Sequence, residues 1–287
     1  MHSVLFCATF ISTTVFGFAL FHAFSFHRPI TPDATELLEG YGLLAHLDTQ
    51  LWSGLSFSLP LLIILLCHEF GHYFECRRHG LDATLPFFLP FPTLFGTLGA
   101  FIRIRSPFYT REDLFDVGIS GPIAGFLALL PFLVTGVLLS HVSPVPVNTQ
   151  LVFGTPLLLR IVESIRFPGV DPSRILLHPM AMAALGGMFA TALNLLPMGQ
   201  LDGGHIVYAA AGARSHRIVS TAVAITLGIL GFVYWPWWVW AVVMFFLGRR
   251  HPLIYDRTPI SHGRLTLCAA ALLMFVLSIS WVPVRVA

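Results

Sequence analysis

Lysine is absent from this sequence. All 16 basic residues are arginine, and with 14 acidic residues the charged fraction reaches only 10%. Soluble domains carry roughly 25% charged residues, so this chain cannot cover a water-soluble body. At 56% hydrophobic residues and a mean hydropathy of +0.80, most of it requires the bilayer as solvent. The formal net charge of +2 and the lack of any basic block exclude a nucleic-acid partner. Cysteine is scarce: Cys7, Cys67, Cys76 and Cys268 lie in or beside apolar stretches without a CxxC spacing. They read as free buried thiols rather than a disulfide framework. No repeat, low-complexity tract or linker marks a second folded domain.

Stretches free of Asp, Glu, Lys and Arg locate the membrane segments, each needing about 20 residues. They are Met1 to His27, Thr49 to Cys67, Val117 to Leu159 (a span plus a loop), Ile175 to Leu201, Ile218 to Gly248 and Leu265 to Val284. Tyr234-Trp235-Pro236-Trp237-Trp238 interrupts the fifth and fits a turn at a membrane interface, where amphipathic rings collect. The expected fold is an all-α polytopic membrane protein of six to seven segments. A cytoplasmic N-terminus places 11 arginines inside, Arg77, Arg78, Arg103, Arg105, Arg111, Arg214, Arg217, Arg249, Arg250, Arg257 and Arg264. It leaves 5 outside, Arg28, Arg160, Arg166, Arg174 and Arg285, as the positive-inside rule prefers. The first segment has no basic n-region and no clear cleavage site, so it reads as a retained anchor. We divide the chain into an anchor and outside loop (1–53), a catalytic membrane core (54–217) and C-terminal helices (218–287).

His68-Glu69-Phe70-Gly71-His72 follows the apolar run Leu59 to Leu66. On a helix, residues four apart share a face, so both imidazoles can point at one ion. Zinc takes such nitrogens in a tetrahedron and keeps a position for water. Glu69, about 100° around the helix, reaches that water rather than the metal and becomes the general base. A bare HExxH arises by chance in many chains. Three ionisable residues within five at the end of an apolar run are costly in a membrane and mark function.

Two histidines leave the site one protein ligand short. Asp202 is the only carboxylate between Asp171 and Asp256. Around it, Pro197 breaks a helix and Gly199, Gly203 and Gly204 allow close backbone approach. A carboxylate there is costly unless it meets a cation. His205 is the rival ligand, and a solvated helix end is the bland reading of Asp202.

The HExxH with the later Asn194-Leu195-Leu196-Pro197 and Leu201-Asp202-Gly203-Gly204 resembles the site-2 protease family of intramembrane metalloproteases. The resemblance extends to Gly96-Thr97-Leu98-Gly99-Ala100 and to Phe115 through Gly125, and covers roughly Leu59 to Gly212. It implies one Zn²⁺ per chain on His68, His72 and Asp202, water activation by Glu69, and cleavage of a single-span membrane-protein substrate in or near its membrane segment. Many members carry a PDZ domain between the two catalytic regions. This chain has no room for one and resembles the PDZ-less branch. The expected location is a bacterial cytoplasmic membrane, with the metal centre towards the cytoplasmic side.

Asn194 reads as a second catalytic residue, hydrogen-bonding substrate or oxyanion, or else as a partner for backbone freed by Pro197. Leu85 to Pro107 holds Pro86, Pro90, Pro92, Gly96 and Gly99 and so is no regular span. The alternation in Phe101-Ile102-Arg103-Ile104-Arg105 marks a strand, giving a re-entrant β-hairpin or loop whose edge pairs with unwound substrate. Gly118, Gly121 and Gly125 favour close helix packing. His46, His141, His178, His216, His251 and His262 read as ordinary polar residues, mostly in loops. The alternatives are a membrane zinc protease of another kind, a metal-binding transporter that passes ions along His68 and His72, and an inactive protease-like binding partner. The oligomeric state is not legible.

Overall fold

A computed structural model describes residues 2–26, 41–42, 49–91, 94–144, 151–247, 254–256, 258–282 and 284–286. The expectations for Arg28, His46, Pro92, Arg249, Arg250, His251 and Arg257 fall outside these. The molecule is mostly helical. Its elements are α1 (His2–Ser25), α2 (Leu55–Arg78), β1 (Phe87–Pro90), β2 (Thr97–Phe101), α3 (Arg111–Leu138), β3 (His141–Val142), β4 (Leu151–Phe153), α4 (Leu157–Arg166), β5 (Ile175–Leu176), α5 (Pro179–Asn194), α6 (Asp202–Leu230), α7 (Pro236–Leu247), α8 (His262–Ser278) and β6 (Val284–Val286). Each strand pair is antiparallel: β1 with β2, β3 with β5, β4 with β6.

The long helices are bounded by local chemistry. After α2, Gly80 takes φ +69°. Its N–H reaches the Arg77 carbonyl and the Leu81 N–H reaches that of Cys76. This is a Schellman ending, and Leu81 packs on Cys76 as such endings favour. The start of α3 is a capping box, with Thr110 Oγ1 accepting from the Asp113 N–H and the Asp113 carboxylate accepting from the Thr110 N–H. α5 opens on Pro179 behind a His178 cap, whose Nδ1 accepts from the Met180 N–H.

α2, α3 and α5 pack against one another, and small residues set the spacing. A Cβ on Gly71 would come 2.6 Å from the Ser120 carbonyl oxygen of α3, and one on Gly187 of α5 would come 2.7 Å from Ile64. Without a hydrophobic drive between helices in lipid, such close backbone approach is what holds them. Leu61, Ile64 and Leu65 of α2, Leu129 and Leu133 of α3 and Ala184 and Met188 of α5 share one buried cluster.

Three described helices are long and apolar enough to cross a membrane: α1, α2 with its preceding turn (Leu51–Arg78), and α3 extended to Leu139. The expected six to seven crossings are not matched. α5 has 16 residues and α8 has 17, short of the roughly 20 for a perpendicular span. α6 bends at Gly212, where φ is +83° and ψ 173°. A charge-free run does not by itself fix a span, because it can also contain hairpins and loops. The break expected at the Tyr/Trp/Pro cluster is present: α6 ends at Leu230 and α7 begins on Pro236.

The segment after α2 folds as a β-hairpin. Phe87 pairs with Phe101 and Phe88 with Ala100, with an irregularity before Pro90 pairs with Thr97. The strand sits earlier than the 101–105 alternation indicated. Beyond Phe101 only an Ala83–Ile104 bridge continues the pairing, because Thr84 Oγ1 takes the Arg103 N–H. The turn of the hairpin docks on α1, with Ser12 Oγ donating to the Gly96 carbonyl at 2.6 Å.

α4 buries a carboxyl outside the long spans. Glu163 is 5% exposed, one of its oxygens has no partner among the described residues, and burial pushes its pKa up to about 7 against the opposing pull of Arg160. A carboxyl whose folded pKa is raised adds stability that is complete below its ordinary value and lost as pH rises through the folded one. The melting temperature of the detergent-solubilised protein is therefore expected to fall between pH 4.5 and 7. Glu163→Gln is expected to flatten that part of the profile. An unchanged slope would contradict the assignment.

Candidate metal centre

α2 carries His68 and His72 on one face, 6% and 7% exposed, with their Nε2 atoms 3.2 Å apart. Asp202 opens α6, and its Oδ2 stands 3.3 Å from each of those nitrogens. The N-terminal end of a helix favours a carboxylate at that position. A zinc tetrahedron with bonds of about 2.0–2.1 Å has edges of roughly 3.3–3.4 Å, so the three donors already stand at the separations a single ion would impose.

Their chemistry asks for a cation. His72 Nδ1 donates to the Val117 carbonyl at 2.7 Å. That keeps the proton on Nδ1 and turns a lone pair on Nε2 towards the cluster. Asp202 Oδ2 is buried without a hydrogen-bond partner among the described residues. Lone pairs converging in a poorly hydrated place repel unless a positive charge sits among them. The residues therefore fit zinc.

Glycine makes the room. A Cβ on Gly121 of α3 would overlap the His72 ring, and one on Gly125 would stand 3.0 Å from His68 Cβ. One on Gly118 would stand 3.0 Å from His205 Cβ and 3.5 Å from the Asp202 carbonyl oxygen. These residues were expected to bring helices together. Here they form the floor on which both imidazoles and the start of α6 rest. The Gly203-Gly204 pair answers a similar demand. Side chains there would strike the carbonyls of Leu195, Leu196, Met198 and Gly199 in the preceding loop.

Glu69 is 6% exposed and stands near the Ile102 N–H, just past β2. The hairpin thus reaches the residue expected to act as base. Asn194, the last residue of α5, brings its amide nitrogen 3.0 Å from His68 Nε2. His205 lies beside Phe108, with ring centroids 6.1 Å apart, and is not in the donor group.

A second cluster was not foreseen. His79 Nδ1 is 3.0 Å from Asp113, and its Nε2 is 3.1 Å from Asp116 and 3.3 Å from Glu75. Arg264 of α8 closes on Asp116 at 2.6 Å and on Glu112 at 2.7 Å. Both ring nitrogens and the guanidinium meet carboxylates, so the network ties the ends of α2, α3 and α8 together. The i,i+4 pair Glu75 and His79 was the only local signal of it.

Residues 56–235 match the family profile described as Peptidase family M50. That stretch contains every residue of the donor group and Glu69. Among curated relatives, a probable zinc metalloprotease EGY1, chloroplastic, of Arabidopsis thaliana is 29% identical over 77% of this chain and 42% of its own length. An EGY1 of Oryza sativa subsp. japonica is 31% identical over 67% of this chain and 34% of its own. A probable zinc metalloprotease EGY2, chloroplastic, of Oryza sativa subsp. indica is 29% identical over 75% and 40%. The chain thus spans about two fifths of the length of these relatives.

Proposed function

The chain belongs to peptidase family M50, and from that premise we propose that it is an intramembrane zinc metalloprotease hydrolysing peptide bonds in or near the transmembrane segments of membrane-protein substrates. The observation that carries this reading is the His68, His72 and Asp202 triad at tetrahedral spacing beside a buried Glu69. One ion per chain would be held by those three residues. Zinc bound there supplies Lewis acidity, acidifying water and polarising a carbonyl.

The protein's own groups do the rest. The Glu69 carboxylate takes a proton from the attacking water and passes it to the leaving amide nitrogen as the C–N bond breaks. The Ile102 N–H stands near that carboxylate. Asn194 reaches the edge of the donor cluster, where its amide can hydrogen-bond the substrate carbonyl. β1 packs on α1 and β2 runs beside α2, so an extended substrate strand pairing with β2 passes Glu69. A single-span membrane protein, locally unwound, is the substrate that fits. Ile102→Pro removes the N–H beside Glu69 and blocks a ladder position. Its cleavage rate is expected to fall while metal content stays at wild-type level. Unimpaired cleavage would remove the hairpin from the mechanism.

The protein is placed in a membrane, with its metal centre towards the arginine-rich side. The matched relatives are chloroplastic, so they lend no support to the bacterial cytoplasmic membrane expected from the resemblance. Ion passage has no use for a buried Glu69 beside the donors, and the transporter reading is not carried further.

Metal analysis in detergent tests the proposal. Wild type is expected to hold about one zinc, as one closed set of three protein ligands implies, and His68→Ala and Asp202→Ala to lose it. Full zinc in Asp202→Ala would move the third ligand elsewhere. A folded wild type without zinc or cleavage would overturn the protease reading.

A further inference from the structure

Asp202 is delivered to the metal centre by residues 195–201, a loop that Pro197 and Gly199 keep out of helical form. Gly199 takes φ +61°, and its peptide groups are gripped from α6. The Gly199 N–H donates to Ser220 Oγ at 3.2 Å, and the Gly199 carbonyl accepts from His216 Nε2 at 2.8 Å. His216 and Ser220 are one helical turn apart, 2% and 6% exposed. The sequence had placed His216 among ordinary polar residues of loops. It is a buried helical residue instead, because α6 continues past the bend at Gly212 and turns back over the loop. Leu196 and Met198 of the loop pack there against Leu227 of α6 and Trp237 of α7.

The gripped carbonyl lies directly under the first turn of α6. A Cβ on Gly204, two residues after the ligand, would come 2.5 Å from the Gly199 oxygen. Movement of that carbonyl therefore moves the backbone that aims Asp202. Asp202 Oδ2 faces the two imidazole nitrogens at 3.3 Å and has no hydrogen-bond partner among the described residues, so the backbone that carries it contributes to aiming it. We propose that His216 is a positioning residue for the third metal ligand, clamping the Gly199 carbonyl so that Asp202 Oδ2 meets the His68 and His72 nitrogens. Ser220 is its weaker companion on the N–H side. This rests on the zinc reading above.

Its test compares full-length wild type, His216→Ala, His216→Gln and Ser220→Ala in detergent. The readouts are Zn²⁺ affinity by chelator competition, the visible spectrum of the Co²⁺-loaded protein, and kcat against KM. Outer partners of metal sites typically support 10–100-fold in affinity. His216→Ala is expected to weaken metal binding by about that factor, shift the Co²⁺ bands and lower kcat with KM little changed. His216→Gln keeps an N–H donor and is expected to restore most of the affinity. Ser220→Ala is expected to move the same readouts less. Wild-type affinity and spectrum in His216→Ala would overturn the assignment, as would equal impairment in Ala and Gln, which would make the ring a space-filler. A wild type that binds no metal would instead overturn the zinc reading itself.

Discussion

Glu69→Gln is expected to purify with its zinc and to cleave a membrane substrate on the order of 10²–10⁴-fold more slowly, the usual contribution of a positioned general base. The amide keeps the size of the carboxylate, so the packing between α2 and the hairpin survives. It cannot take the proton from water or return it to the leaving nitrogen. The donor group of His68, His72 and Asp202 is untouched, since Glu69 stands beside it and not among it. Metal content and cleavage are therefore expected to separate in this variant, whereas they fall together in the ligand variants. A Glu69→Gln protein that cleaves at the wild-type rate would remove the base from the mechanism. One that loses zinc would make Glu69 a ligand.

Gly121→Ala is expected to damage the site from the opposite side. The added methyl would occupy the space of the His72 ring, with no flexible chain end to yield. The ring is already tethered to α3 through the Val117 carbonyl, one turn before Gly121. Either the ring leaves its position or α2 and α3 separate. A shift of about 1 Å in a reacting group costs on the order of 10²-fold in rate. Zinc affinity is expected to fall by roughly the 10–100-fold seen when a ligand's supporting shell is lost. Gly228→Ala is the control, because a Cβ there meets nothing within 4 Å, and it is expected to behave as wild type. Full zinc and full activity in Gly121→Ala would mean that α3 does not form the floor of the site.

Much of the donor set is legible in the sequence. HExxH is legible because helical spacing alone puts two imidazoles on one face. Asp202 is legible because a lone carboxylate amid glycines and a proline in an apolar region is costly and rare. The hairpin was legible from proline and glycine density, though its strand lay earlier than the alternation indicated, since side chains and backbone compete for the same N–H groups beyond Phe101. Glycines 118, 121 and 125 were recognised as packing residues without any sign of what they pack against. His216 carried no signal, because its partner is the backbone of Gly199, 17 residues away and across a bend. The His79 network joins three helix ends, and only its i,i+4 pair is local. The number of crossings was not legible, because the absence of charge does not distinguish a helix from a hairpin or loop.

By itself the sequence determined the solvent, the metal-binding residue types and the reaction they suit. Each of these follows from composition or from spacing within one turn of chain. The tertiary structure decided how His68, His72 and Asp202 stand at one ion's distance, which carbonyl orients His72, which strand lies beside Glu69 and what holds the Asp202 loop. Those contacts join residues far apart in the chain, and their geometry is set by how closely helix backbones approach, which no local pattern encodes.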